Sequence, residues 1–153
     1  LGCNQGRHRR ADRCGMGRAQ MILLDTHALV WMDTDASNLG RTARHLIKQA
    51  WRVQQLAVSA VSFWECAMLH ARGRITLPES PAAWRADWLQ AGLIEWPIDG
   101  AIAILAADLA SLHKDPADRF IAATAIVHRA ALITADERLL EWQHPVKRHH
   151  AGR

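Results

Sequence analysis

The chain has 153 residues, enough for one domain with its own core, since a chain of about 150 residues buries roughly 68–70% of its unfolded surface. Three cysteines, Cys3, Cys14 and Cys66, with no CxxC pair exclude a disulfide framework and a zinc-site spacing, and fit a reducing, cytoplasmic compartment. The net charge of +4 invites a nucleic-acid reading, but the excess lies in residues 1–20, where five arginines face Asp12 alone, and residues 21–143 hold eleven basic and fourteen acidic side chains.

Residues 1–20 have no apolar periodicity and no hydrophobic h-region, which predicts a disordered basic leader or a misassigned start; an RNA-binding arm is the alternative. A buried strand is predicted over 21–25, then a short helix over 27–33. The polar turn at 35–38 leads to a helix over 38–51, whose Leu39, Ala43, Leu46 and Ile47 keep helical spacing. A second strand at 56–60 precedes a helix over 62–72 closed by Gly73. Pro81 opens a helix with Trp84 and Trp88 one turn apart. A third strand follows at 93–97, and Asp99 caps a helix through Leu112. Asp115-Pro116 starts a helix to about Ala130, residues 131–134 form a fourth strand, and Asp136 opens a short helix to Trp142. Val146 marks a last edge strand; residues 21–147 make the domain, and 148–153 a basic tail with His149 and His150 solvated. Short apolar strands alternating with helices predict an α/β fold with a parallel sheet. The longest apolar run, 120–127, is far below the roughly 18 residues of a membrane span, so no membrane association is expected.

Four carboxylates sit where a strand gives way to a helical pattern: Asp25, Glu65, Asp118 and Asp136. Each has a plain structural reading. Asp25 and Asp136 suit helix caps, Ser62 to Glu65 matches an S-x-x-E capping box, and Asp118 suits the third helical position after the Asp115 cap. Jointly they point elsewhere, because parallel strands deliver such junctions to one edge of the sheet, where ligands bind. Acids gathered there repel one another unless a cation joins them, and hard divalent ions take carboxylate oxygens. The pattern points to metal-dependent phosphodiester chemistry. Asp99, after the third strand, reads as a cap only. His27 is a candidate base, or a polar neighbour of the site. No serine or cysteine nucleophile motif and no P-loop is present. Trp31, Trp51, Trp84 and Trp88 supply large apolar surface, either for the core or for a partner.

The segments LLDTHALVW, SAVSFWE, LHKDPADRFIAATA and LITADERLL, in that order, resemble the PIN-domain ribonuclease toxins of the VapC type, over 21–143. The resemblance implies a three-layer α/β/α sandwich around a parallel sheet and an Mg²⁺- or Mn²⁺-dependent endoribonuclease. It assigns Asp25, Glu65, Asp118 and Asp136 as the acidic quartet, catalytic and metal-binding, with Asp136 acting through water or a second ion. Thr134 matches a polar position supporting the last acid, and Arg119 lies beside the site, suited to phosphate or to a surface ion pair. The implied partners are an RNA substrate, a cognate antitoxin protein and a second copy in a homodimer. A metal nuclease acting on DNA or in RNA processing without an antitoxin is the alternative. A phosphatase would want a second aspartate where His27 stands, and a non-catalytic module would not need four intact acids.

Overall fold

Alternation along three short strands divides the core into two layers. In the computed structural model, which describes residues 20–112 and 114–153, β1 (Ile22–Leu24), β2 (Leu56–Ser59) and β4 (Ala131–Thr134) are fully buried. Successive side chains of a strand face opposite sides of the sheet. Ile22, Leu24, Leu56, Val58, Ala131 and Ile133 therefore enter one cluster, with Ala28, Leu29, Ala43, Ile47, Phe63, Cys66 and Trp84. Leu23, Ala57 and Leu132 enter the other, with Ile121, Ala122, Ala125 and Leu139. Helices α1 (Thr26–Asp33), α2 (Arg41–Arg52), α3 (Ala60–Ala71) and α4 (Pro81–Ala91) supply the first layer. Helices α6 (Pro116–Val127) and α7 (Glu137–Glu141) supply the second, and α5 (Gly100–Asp108) packs on α6 through Ile102, Ala106 and Ala123. This is the α/β/α sandwich expected.

With β3 (Ile94–Trp96) and β5 (Arg148–His150), the sheet has five strands in the order β3-β2-β1-β4-β5, and every pairing is parallel. The chain steps outward from β1 through β2 to β3, then crosses back to β4 on the other side of β1. That reversal opens a crevice at the carboxyl ends of β1 and β4, the place where open α/β sheets bind ligands. Leu24 pairs with Val58 on one side and Ile133 on the other, so the next residues of all three strands reach the same edge.

Several boundaries differ from the sequence reading, each for a local reason. Helix α3 starts at Ala60, because Ser59 is its cap and accepts from the Val61 N–H at 3.3 Å; the S-x-x-E capping box at Ser62 does not form, and Ser62 is buried inside the helix. Helix α5 ends at Asp108 and α6 at Val127, short of the expected 112 and 130. The edge strand is Arg148–His150 and not Val146. The segment expected as a solvated basic tail is thus part of the sheet: the Leu132 N–H donates to the Lys147 carbonyl at 2.9 Å and the Ala151 N–H to the Thr134 carbonyl at 2.8 Å. Ala151 is buried, and the N–H groups of Gly40 and Ala43 at the start of α2 donate to the carbonyls of Ala151 and Arg153. A Cβ at Gly40 would stand 2.3 Å from the Arg153 backbone, so glycine permits this approach. The expected leader, 1–20, lies outside the described residues except for Gln20.

The tryptophans are largely consumed within the chain. Trp84 is buried, and both its Nε1–H and that of Trp88 donate to Asp33 Oδ1, at 2.8 and 3.0 Å. Trp88 meets Trp51 edge to face at 5.9 Å, Trp84 meets Phe63 at 5.8 Å, and Trp31 packs against the same cluster. Of these four residues Trp84 belongs to the core, while Trp31, Trp51 and Trp88 pack against it and stay partly exposed.

Candidate active site

The end of β1 places Asp25 in the crevice as the N-cap of α1. The residue is 3% exposed, and its carboxylate accepts three hydrogen bonds. Oδ1 takes the Ala28 N–H at 2.6 Å; Oδ2 takes the Thr134 hydroxyl at 2.6 Å and the Ala135 N–H at 3.0 Å. A carboxylate has about four acceptor directions, so roughly one remains for a ligand. Burial pushes the Asp25 carboxyl above its ordinary range, and the donors, Thr134 foremost, pull against that rise.

Thr134, at the end of β4, binds across the crevice. It donates to Asp25 and accepts the Asp136 N–H at 3.0 Å, so one hydroxyl fixes the first acid and the loop carrying the last. The resemblance had tied this residue to the last acid; its contact with the first is the shorter one. Asp136 caps α7, and its Oδ1 accepts from the N–H groups of Arg138 and Leu139 at 2.8 and 3.0 Å.

Glu65 comes from the second turn of α3, beside Asp25 rather than from a strand end. Its Oε2 accepts the Thr26 hydroxyl at 3.0 Å. Burial raises its pKa first; the negative charges of Asp115 and then Asp25 add to the rise, while Thr26 and His27 oppose it. Two carboxyls raised by desolvation, with the Asp25 charge adding to the rise of Glu65, form the electrostatic centre of the crevice.

The remaining candidates are placed differently. Asp118 lies in the first turn of α6, partly buried, but among the charges acting on Glu65 it is Asp115 that figures. Asp115 is also the α6 cap, accepting from the Ala117 N–H at 2.9 Å, and sequence reasoning had assigned it only that role. Asp99 is the cap it was read to be, accepting from the Ile102 N–H at 2.9 Å. Arg119 lines a cavity of about 170 Å³ with Ala103, Ala106, Ala107, Pro116 and Phe120, and its buried Nε has no hydrogen-bond partner among the described residues. His27 is exposed on α1, and its ring meets Trp31 edge to face at 6.4 Å. Cys66 is buried and its thiol is pushed up to about 12, so it stays protonated and unreactive.

A family model described as the PIN domain matches residues 22–144. The chain belongs to the PIN-domain family. It is 36% identical over 125 residues to ribonuclease VapC22 of Mycobacterium tuberculosis (strain ATCC 25618 / H37Rv), a match spanning 81% of this chain and 93% of that protein. The PIN fold recurs in a toxin–antitoxin complex from Klebsiella pneumoniae, with 24% identity and a TM-score of 0.54 over 80% of this chain and 92% of that one. It recurs also in VapBC2 from Rickettsia felis bound to a DNA fragment from their promoter, with 15% identity and a TM-score of 0.62 over 84% and 97% of the two chains. No helix among the described residues is long and apolar enough to cross a membrane.

Proposed function

We propose that this PIN-domain chain is an Mg²⁺- or Mn²⁺-dependent endoribonuclease acting as the toxin of a toxin–antitoxin pair. The observation that carries the proposal is the Asp25–Glu65 pair, two desolvated carboxylates at the topological switch point of a parallel sheet. The kinship with a ribonuclease named VapC22 supports RNA as the substrate.

The donor set fits a hard cation. Among the described residues no three His, Cys, Asp or Glu side chains form a ready metal cluster. Mg²⁺ does not require one: it is usually bound by one or two carboxylates and keeps several waters. Asp25 and Glu65 are the residues that would hold it, and Asp118 and Asp136 would complete the acidic quartet around it. A bound divalent ion supplies a water of lowered pKa and neutralises charge on the attacked phosphate. The chain's own part is positioning. Three donors fix Asp25, Thr26 fixes Glu65, and Thr134 couples the Asp136 loop to Asp25. A carboxylate of the quartet left free of the ion would serve as the general base.

The test is incubation of the purified chain with total RNA and Mn²⁺, with new ends mapped, beside a single-stranded DNA arm. Discrete RNA ends that vanish with EDTA are expected. Cleavage of DNA alone would favour the alternative nuclease reading. The toxin role has its own test. The small reading frame beside this one should encode a partner that co-purifies and blocks cleavage, with a cationic side chain among the carboxylates. A homodimer is also proposed. The exposed side chains Val53, Trp64, Ile104 and Val127 offer apolar surface for it, and sedimentation of the chain alone reports it.

A further inference from the structure

Thr26 has no role in the acidic quartet, yet it is buried at the centre of the crevice. It is the first residue of α1, 3% exposed, directly after Asp25. Its Oγ1 lies 3.0 Å from Glu65 Oε2 and 3.3 Å from the Oγ of Ser62, which is fully buried inside α3 one turn before Glu65. Proton accounting fixes the direction of this chain. A carboxylate only accepts and a hydroxyl has one proton to give, so the Thr26 proton goes to Glu65 and the Ser62 hydroxyl can donate to Thr26. Ser62 and Glu65 lie on neighbouring turns of one helix face, which lets a single hydroxyl from α1 meet both.

We propose that Thr26 is the positioning residue for Glu65, oriented in turn by Ser62, and that it sets the affinity of the crevice for a divalent cation. The proposal rests on the metal-nuclease reading above. A glutamate side chain has three rotatable bonds, and a ligand left free must be ordered when a cation binds. Thr26 orders Oε2 beforehand. It does so from the residue bonded to Asp25, so the two carboxylates are set relative to each other by one stretch of backbone. Partners that orient metal ligands commonly contribute about 10- to 100-fold in metal affinity.

The experiment is titration of the metal-free protein with Mn²⁺ alone, with free ion read by electron paramagnetic resonance, for wild type, Thr26→Val, Thr26→Ser, Glu65→Gln and the Thr26→Val/Glu65→Gln double variant. Valine keeps the shape and removes the hydroxyl. The expected result is affinity about 10- to 100-fold weaker in Thr26→Val, near wild type in Thr26→Ser, and no further loss when Thr26→Val is added to Glu65→Gln. Should valine not be accommodated, Thr26→Ala carries the same expectation. Wild-type affinity in Thr26→Val overturns the proposal, as does an equal loss in the Glu65→Gln background, which would mean Thr26 acts on the site by another route. A wild type that binds no Mn²⁺ overturns the metal-site reading itself, a failure distinct from the other two.

Discussion

Replacing Thr134 with valine removes one hydroxyl and almost no volume, so cavity and packing effects stay small. Two interactions go. Asp25 Oδ2 loses its 2.6 Å donor, and the Asp136 N–H loses its 3.0 Å acceptor. A hydrogen bond to a charged group contributes about 1.5–3 kcal/mol, and a stranded polar group costs about 1–3 kcal/mol. Asp136 is partly exposed, so water recovers some of the second loss. The expected destabilisation is about 2–5 kcal/mol at neutral pH without divalent ions, measured by urea unfolding followed through tryptophan emission. Its pH dependence is specific. Thr134 is the foremost influence lowering the raised Asp25 pKa, so the variant's folded pKa rises further. The charge-dependent part of the loss is full above both folded pKa values and disappears as pH falls below them. A loss below about 0.5 kcal/mol, the range of ordinary surface changes, would refute the account of how Asp25 is held.

Wild type itself should show the same linkage. Asp25 and Glu65 have folded pKa values raised above their unfolded ones, so between the two values the folded state binds more protons. Their contribution is most favourable below the unfolded values and is lost as pH rises through the folded ones. Unfolding in EDTA should show this decline, and Mn²⁺ should restore stability most at the upper end; a metal effect independent of pH would contradict it. Asp33→Ala strands two indole N–H groups, and a loss of about 2–4 kcal/mol with a changed emission maximum is expected. Wild-type stability there would mean the clamp is incidental. Deleting residues 148–153 removes β5 and should cost far more than about 0.5 kcal/mol; an unchanged unfolding midpoint would show that the strand contributes nothing.

The parts of the fold that could be read from sequence are those governed by side-chain burial. Strands β1, β2 and β4 are continuous apolar runs because both faces are covered, and that signal needs no tertiary context. Strand β5 is Arg-His-His, held by backbone pairing to β4 at an edge, and nothing in its composition announces it. Ser62 and Glu65 imitate a capping box since their spacing is also that of one helix face; only the position of Ser59 at the end of β2 decides between the two. Asp25 was legible as a junction acid and cap, but two of its three donors come from residues 134 and 135, more than a hundred positions away. Asp115 was legible as a cap, whereas its influence on Glu65 depends on how α6 docks against α3. The Asp33 clamp was hidden for the same reason, because its two donors lie on α4.

On the proposed function, the Asp25–Glu65 pair holds the cation with which RNA is cleaved. This claim is tested most directly by the RNA cleavage rate of Asp25→Asn at saturating Mn²⁺, beside wild type, with both shown to be folded. Loss of a cation-holding carboxylate should lower the rate at least about 100-fold, the scale of one preorganised electrostatic contact in a reaction site. A rate equal to wild type in a folded Asp25→Asn protein would contradict the claim and move the chemistry elsewhere on the molecule.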